Sequence, residues 1–191
     1  MKLKRLIYTA MLYLIPTSAK RNEYLRKHKV YASIGENVHI QTRFIPVYSE
    51  LIAFHNNICI GRHCDFATHD AIHSILNRTP EKKRKAYKFS ERIGCIEIMD
   101  NVFVGSHTTI MYDTKIGPDV IIASGSVVTK DCEPNSVYAG VPAKKIGTFN
   151  DFINKRIDSE KQKSISVTHH NQKLTQEEIK TAWDNFHRLH R

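Results

Sequence analysis

Residues 96–147 read IEIMDNVFVGSHTTIMYDTKIGPDVIIASGSVVTKDCEPNSVYAGVPAKKIG, and a branched aliphatic residue returns in this stretch at every sixth position. The repeated positions are Ile98, Val104, Ile110, Ile116, Ile122 and Val128. Small or branched residues stand two places before each of them. A six-residue period is neither the 3.6 residues of an α-helical turn nor the simple alternation of a flat strand. The stretch is therefore a hexapeptide repeat.

Such a repeat predicts a mainly β fold in which short strands wind into a triangular solenoid, a parallel β-helix. Each short strand buries one side chain, and tight turns, eased by glycine where the backbone needs positive φ, lead to the next face. Successive coils stack at a strand spacing of roughly 4.8 Å. Each aliphatic residue then packs on the next coil, which stabilises the fold by about 1.5–3 kcal/mol per fully buried side chain. An ordinary β-sandwich is the alternative fold.

Length, charge and cysteine usage narrow the class of protein. The 191 residues suffice for one domain with a proper core and additional terminal elements. A formal net charge of +10 indicates anionic partners, among which nucleic acid, an anionic membrane and a phosphorylated small molecule all qualify. The four cysteines form no C-x-x-C pair, which favours a reduced, cytoplasmic setting and gives no support for a metal site.

The chain divides into three predicted parts. Residues 1–30 form an N-terminal helical cap, residues 31–148 form the β-helix, and residues 149–191 form a helical tail. In the tail, Thr175 and Glu178 have the spacing of a capping box ahead of an amphipathic helix.

The apolar run 6–15 after Lys2, Lys4 and Arg5 is too short to span a bilayer. We expect it to cap the first coil; peripheral contact with the inner face of a membrane and a cleaved signal are the alternatives.

The six-residue period is lost between about residues 69 and 92. Seven lysines and arginines fall between residues 78 and 92 of this long loop insertion, against two glutamates. A long insertion in a compact solenoid is more often functional than decorative. A merely solvated charged loop is the alternative.

The strings VIIASGSVVTKD (120–131) and NSVYAGVPAK (135–144) closely resemble the last coils of the hexapeptide-repeat acyltransferases. The resemblance is to the maltose and galactoside O-acetyltransferase branch, and within it to the sugar O-acetyltransferases of capsule and lipopolysaccharide synthesis. It implies left-handed winding, a homotrimer with active sites shared between neighbours, and acetyl-CoA as the acyl donor in a groove along the solenoid. The residues implied to bind the coenzyme are Ser106, Ser124, Thr129, Lys130, Gly140, Pro142, Ala143 and Lys144. Ala123 departs from the glycine common in the family.

Related enzymes place a catalytic histidine, usually in T-H-P or G-H-P, where this sequence has Thr68-His69-Asp70. A sugar hydroxyl is too weak an acid to attack a thioester unaided, and an imidazole accepts its proton near neutral pH. His69 is therefore the predicted general base, attack on the thioester is direct, and backbone N–H groups of an adjoining coil stabilise the oxyanion. Asp70 is expected to point away from His69, because neighbouring residues of a strand face opposite sides.

The acceptor is less well defined. His73, His55 and Asn57 are candidate substrate contacts. The leading hypothesis is transfer of acetyl from acetyl-CoA to a hydroxyl of a sugar or polysaccharide precursor. The alternative within the fold is N-acetylation of an amino sugar, or acetylation of an antibiotic.

Two rivals come from other classes. One is a zinc enzyme similar to the γ-class carbonic anhydrases. Its zinc ligands would be His63, His69 and His73, which are suggested only by their spacing in the sequence. The other is a basic scaffold that binds membrane or nucleic acid. Proteins that bind single-stranded nucleic acid stack its bases on aromatic side chains, and few aromatic residues lie among the basic residues of this chain. No nucleic-acid partner is therefore predicted.

Overall fold

The computed structural model describes residues 2–161 and 173–190. The chain divides into two compact units, Met1–Asn150 and Asp151–Arg191. Within the described ranges, no helix is both long enough and apolar enough to cross a membrane.

Two helices, α1 (Lys2–Leu14) and α2 (Ser18–Lys27), precede the first strand. Thr17 caps α2 by accepting a hydrogen bond from the Lys20 amide, as expected for a threonine at the N-cap. The buried Arg21 guanidinium donates to the Ile15 and Pro16 carbonyls, 3.1 Å each, just beyond the end of α1. Leu12 and Leu25 are buried in the core. Both helices therefore pack on the start of the solenoid.

Short strands make up the rest of the first unit. In chain order they are β1 (Ser33–Ile34), β2 (Val38–Ile40), β3 (Ile52–Phe54), β4 (Ile58–Ile60), β5 (Asp65–Ala67), β6 (His69–Asp70), β7 (Arg92–Ile93), β8 (Ile96–Ile98), β9 (Val102–Val104), β10 (Thr109–Met111), β11 (Thr114–Ile116), β12 (Val120–Ile122), β13 (Val127–Val128), β14 (Ser136–Ala139) and β15 (Lys144–Gly147). A 3₁₀ turn, Ser49–Leu51, precedes β3.

These strands form three parallel sheets. Face A contains β1, β3, β8 and β11; face B contains β2, β4, β9, β12 and β14; face C contains β5, β10 and β13. The chain visits the faces in the order A, B, C, and β15 closes face B as an antiparallel strand. We name the corners between them AB, BC and CA. Three-sided parallel stacking confirms a solenoid, and left-handed winding stays a prediction from the resemblance.

The strand register keeps the six-residue repeat in phase. Ile98 stands beside Phe54 and Ile116 on face A, and Ile110 stands beside Phe66 and Val128 on face C. The repeated aliphatic side chains identified above are at most 1% exposed. The predicted core of the repeat is therefore confirmed.

The role predicted for glycine in the turns is confirmed at Gly125 of the BC corner, which has positive φ, but is wrong for Gly61 and Gly105. At the AB corner, positive φ is adopted by polar residues, among them Asn57, Asn101 and Asp119. Gly61 and Gly105 have ordinary φ angles, but a Cβ on Gly61 would lie 2.6 Å from the Ser106 amide nitrogen. Glycine is needed at these corners because successive coils approach so closely. Hydrogen-bonding side chains tolerate the left-handed conformation better than most residues do.

The polar residues of the AB corner also bond to one another from coil to coil. The side-chain amide of Asn57 donates to Asn101 Oδ1 over 2.7 Å, and the side-chain amide of Asn101 donates to Asp119 Oδ1 over 2.9 Å. This ladder of side chains holds the corner together.

The insertion (residues 69–92) leaves and re-enters the solenoid through an antiparallel pair. His69 stands opposite Ile93, and Asp70 stands opposite Arg92. Predicted as a loop, the insertion contains two short helices, α3 (Ile72–Arg78) and α4 (Glu81–Arg84). The Asn77 side chain makes two bonds with the Phe89 backbone, at 2.8 and 2.9 Å. These bonds fold the insertion back on itself.

The tail begins with α5 (Phe149–Lys161). Its next described helix is α6 (Gln176–Leu189), which belongs to the second unit. The predicted capping box is confirmed, since Thr175 and Glu178 each accept from the other's backbone amide. Trp183 and Phe186 of α6 are both exposed.

Candidate active site

Face C and its two corners bring together most of the residues predicted to act. Thr109, Met111 and Val127 form part of its partly open outer surface. His69 follows the face C strand β5, and Thr129 and Lys130 follow β13 at the same CA corner. Ser106 and Ser124 precede β10 and β13 at the BC corner. The predicted base and four predicted coenzyme residues therefore border one face.

The BC corner forms a closely spaced column of backbone and hydroxyl groups. The Arg62 amide donates to Ser106 Oγ over 3.2 Å, and the Gly125 amide donates to the Ser106 carbonyl over 2.9 Å. The Gly140 amide donates to Ser126 Oγ over 3.2 Å. Gly105 lies so close to Ser124 that a Cβ would overlap the Ser124 amide. The column thus offers a narrow surface that a slender ligand can approach.

The remaining predicted coenzyme residues lie in the closing segment. The Val141–Pro142 peptide bond is cis, and the Ala143 amide donates to the Val127 carbonyl over 2.8 Å. Lys144 is paired with Ala139 at the end of β14. Lys130 and Lys144 are exposed, and neither ammonium group has a carboxylate partner within the described residues. Both are available to an anionic ligand.

His69 lies beside two residues that the sequence did not single out. Its Nε2 atom is 3.9 Å from Glu91 Oε1, and the imidazole is 30% exposed. The Tyr48 ring packs edge-on against the imidazole, with ring centroids 5.4 Å apart. The Tyr48 hydroxyl donates to Glu91 Oε2 over 3.0 Å, a bond that raises the pKa of Tyr48. Tyr48 and Glu91 therefore form a polar wall around one side of the imidazole.

The two nitrogens of His69 differ in their surroundings. Nδ1 is buried and has no hydrogen-bond partner among the described residues. Nε2 is too far from Glu91 for a hydrogen bond but close enough for an ion pair once the ring is protonated. Of the two nitrogens, Nε2 is thus the one that can take up a proton and be stabilised as a cation.

Asp70 is bound away from His69, as the strand alternation predicts. Its carboxylate accepts from the Tyr112 hydroxyl over 2.6 Å and from the Ile72 amide over 3.0 Å. The Tyr112 hydrogen bond is the main reason that the pKa of Asp70 lies below its usual value. Arg92, across the strand pair from Asp70, lies over the Tyr112 ring. These contacts fasten the base of the insertion to the coil above.

The structure does not bring His55 and Asn57 to this face. Both lie at the AB corner, where His55 Nε2 is 3.0 Å from Glu97 and Asn57 belongs to the side-chain ladder. His73 lies in α3 of the insertion, with Nδ1 buried and unpartnered among the described residues. Substrate contact stays a prediction for all three residues.

The zinc alternative finds no support in the arrangement of its histidines. His63 stacks on His107 at the BC corner, with ring centroids 4.9 Å apart, whereas His69 lies at the CA corner. Residues 2–161 and 173–190 contain no group of three His, Cys, Asp or Glu residues placed to hold a metal ion.

The sequence carried only weak signals for the two missed residues. Glu91 stands directly before Arg92, so a hairpin closing on His69 would place it near the imidazole, but the hairpin has no sequence signature. Tyr48 has positive φ, unusual for an aromatic residue, and nothing in the local sequence indicates it.

Comparison with known proteins agrees with this architecture. Residues 96–130 match the family described as bacterial transferase hexapeptide (six repeats). The galactoside O-acetyltransferase of Escherichia coli (strain K12) is 35% identical over 129 residues, which cover 64% of this chain and 59% of that protein. The chain thus spans about three fifths of the length of this relative. A Staphylococcus aureus (strain COL) relative, named as a putative acetyltransferase, is 30% identical over 154 residues, covering 74% of this chain and 76% of its own length.

A solved galactoside acetyltransferase, in complex with coenzyme A, shares the fold with a TM-score of 0.52 at 24% identity. The match covers 91% of this chain and 89% of the solved one. Repeat, fold and sequence identity lead to the same conclusion: the chain belongs to the bacterial hexapeptide transferase family.

Proposed function

We propose that the protein transfers an acetyl group from acetyl-CoA to a hydroxyl of a sugar or polysaccharide precursor. The observation that carries the proposal is the open His69 imidazole beside Glu91, at the edge of the face that holds the predicted coenzyme residues. Two comparisons give further support, since one relative is named as a galactoside O-acetyltransferase and a protein of the same fold was solved with coenzyme A.

In the proposed reaction His69 is the general base. The acceptor hydroxyl binds at Nε2 and loses its proton there as its oxygen attacks the thioester carbonyl. The protonated imidazole is then within ion-pair distance of Glu91, which stabilises the charge that develops. The tetrahedral intermediate collapses by breaking the C–S bond, and the proton held by His69 passes to the departing thiolate. Backbone N–H groups of an adjoining coil are the expected donors to the oxyanion.

The coenzyme would lie along face C. Ser106, Ser124 and Thr129 line the approach of its pantetheine arm, and Gly140, Pro142 and Ala143 shape the closing end of the groove. The exposed ammonium groups of Lys130 and Lys144 suit its phosphates, because a lysine is a mobile point charge without a fixed geometry. The predicted homotrimer belongs to the same proposal, and a solution mass three times that of the 22.0 kDa chain would support it.

The experiment that tests the function is an acceptor panel. Purified protein and acetyl-CoA are incubated with neutral sugars, amino sugars, sugar nucleotides and chloramphenicol, and free thiol is followed. Product analysis by mass spectrometry and NMR then distinguishes an O-acetyl ester from an N-acetyl amide. Thiol release with a sugar bearing only hydroxyl groups is the expected result. Activity confined to amines would replace it with N-acetylation, and no activity on any acceptor would contradict the proposal.

A further inference from the structure

A cavity of about 370 Å³ opens between α1 and the segment that precedes β3. Its apolar wall is formed by Val30, Ile45, Pro46 and Val47. Ile45 is 1% exposed, so this wall is continuous with the core of the solenoid. The cavity is outside the predicted coenzyme groove, and the proposed reaction does not yet use it.

Three basic residues are among those that line this cavity: Lys4, Arg5 and Lys29. One carboxylate, Glu50, lines it as well, which leaves an excess of positive charge. None of the three cations is within ion-pair distance of a carboxylate in the described part of the chain, and Arg5 lies over the Phe44 ring. Basic residues without a carboxylate partner, beside an apolar wall, favour an anion attached to an organic group.

The cavity adjoins the proposed base through a single side chain. Tyr48 lines the cavity, and its ring packs edge-on against His69 with centroids 5.4 Å apart. The neighbouring Val47 carbonyl accepts from the Thr68 hydroxyl over 2.5 Å, which ties the cavity wall to the residue before His69. A ligand held in the cavity is therefore one aromatic ring away from the imidazole.

From this arrangement we infer that the cavity binds a phosphate ester carried by the acceptor, so that the acceptor is a sugar linked to phosphate. The phosphate lies among Lys4, Arg5 and Lys29, and the sugar extends past Tyr48 toward His69. This inference rests on the proposed acetyl transfer and adds the class of acceptor to it. A soluble glycosyl phosphate and a lipid-linked one share the recognised chemistry.

The test compares each sugar 1-phosphate with the methyl glycoside of the same sugar, over a panel of hexoses and hexosamines. Two variants, Lys4→Gln and Lys29→Gln, remove cavity charges and keep a polar, uncharged side chain at each position. We expect each to raise the KM for a sugar 1-phosphate about fivefold, as for a partly exposed charge pair, and to leave the KM for the methyl glycoside unchanged. Lys27→Gln is the matched control, because this exposed lysine of α2 does not line the cavity.

Calorimetric titration of the sugar 1-phosphates without coenzyme separates the two proposals. If no acceptor is acetylated, the proposed function fails, yet binding that weakens in Lys4→Gln and Lys29→Gln would still support the cavity as a phosphate site. If acetylation occurs but phosphate confers no preference, or the variants affect both acceptor forms equally, the inference is overturned. Absence of binding by any sugar 1-phosphate would overturn it too.

A third set of acceptors distinguishes the two sources of the phosphate. The outer side of α1 exposes Leu6 and Ile7, by 59% and 50%, beside the cavity residue Arg5. A sugar phosphate carrying a short alkyl chain should bind more tightly than the free sugar phosphate if the natural acceptor is lipid-linked. Equal affinity would assign the site to a soluble glycosyl phosphate.

Discussion

Face C and the insertion that follows its first strand are held in place by different kinds of contact. The strands of face C are fixed by a backbone register that repeats from β5 through β10 to β13. The insertion is fixed by individual side-chain bonds, among them Asp70 to Tyr112 and Tyr48 to Glu91. A coenzyme needs a long regular wall, whereas selection of an acceptor needs side chains that can differ between enzymes. In the proposed function the coenzyme lies along the regular face, and the insertion supplies Glu91 beside the proposed base.

The role of the insertion is tested most directly by removing the side chain of its first residue, His69. His69→Ala should lower kcat by about 10²- to 10⁴-fold, because general base catalysis contributes on that scale. Binding of acetyl-CoA, measured by calorimetry, should persist, since face C is unchanged. An unaltered rate would exclude His69 as the base.

Face C is best tested at a close approach between coils. Gly105→Ala should destabilise the protein by about 2–4 kcal/mol, because the added Cβ would overlap the Ser124 backbone and the coils must separate. The midpoint of thermal or denaturant unfolding measures the effect. Gly147→Ala is the matched control, since nothing lies within 4 Å of a Cβ at that position. Equal effects of the two substitutions would contradict the close-approach explanation.

The bond between the two regions can be tested through pH. The pKa of Asp70 is lowered from 3.8 chiefly by the Tyr112 hydroxyl, so the ionised carboxylate stabilises the folded state. That contribution is fully present above about pH 4 and is lost as pH falls through the lower pKa of the folded state. Asp70→Asn should therefore unfold more readily than the wild type at neutral pH, and the difference should shrink in acid.

The same variant reports on the position of His69. Loosening the base of the insertion should lower kcat by about tenfold, since small displacements at a reacting centre are costly. Tyr112→Phe removes the other partner of the bond and should reproduce both effects. If the rate is unaffected by either variant, the bond does not position the imidazole.

The smallest expected effect is on coenzyme binding. Lys130→Ala and Lys144→Ala should each raise the KM for acetyl-CoA about fivefold, as expected for exposed charges, and the effect should weaken with added salt. Lys115→Ala on face A, where the lysine pairs with Glu97, should leave this KM unchanged. A result in which Lys115 matters and the other two do not would place the coenzyme on another face.

The sequence allowed the regular region to be predicted well and the irregular region only in part. Ile98 and Val104 reveal the coils because burial in a solenoid repeats with the chain itself. The position of His69 followed from a resemblance, and its neighbour Asp70 was correctly expected to face away. Tyr48 and Glu91 were missed because they are 43 residues apart in the sequence. They are brought together by a hairpin that no local sequence pattern predicts. Positive φ was the right reason for Gly125 but the wrong one for Gly61 and Gly105, since a sequence shows the small residue but not the nearness of the next coil.

The antiparallel pair of β6 and β7 gives the insertion both its exit and its return at one point of the solenoid. Its two ends are therefore joined to each other as well as to the coils, and the length of chain between them does not enter the register of faces A, B and C. Residues 71–90 are in effect an exchangeable segment, whereas Glu91 belongs to the site around His69. A segment of different length or charge could be grafted between Asp70 and Glu91, and in the proposed reaction the surroundings of His69 would then change while the strands of face C stayed the same.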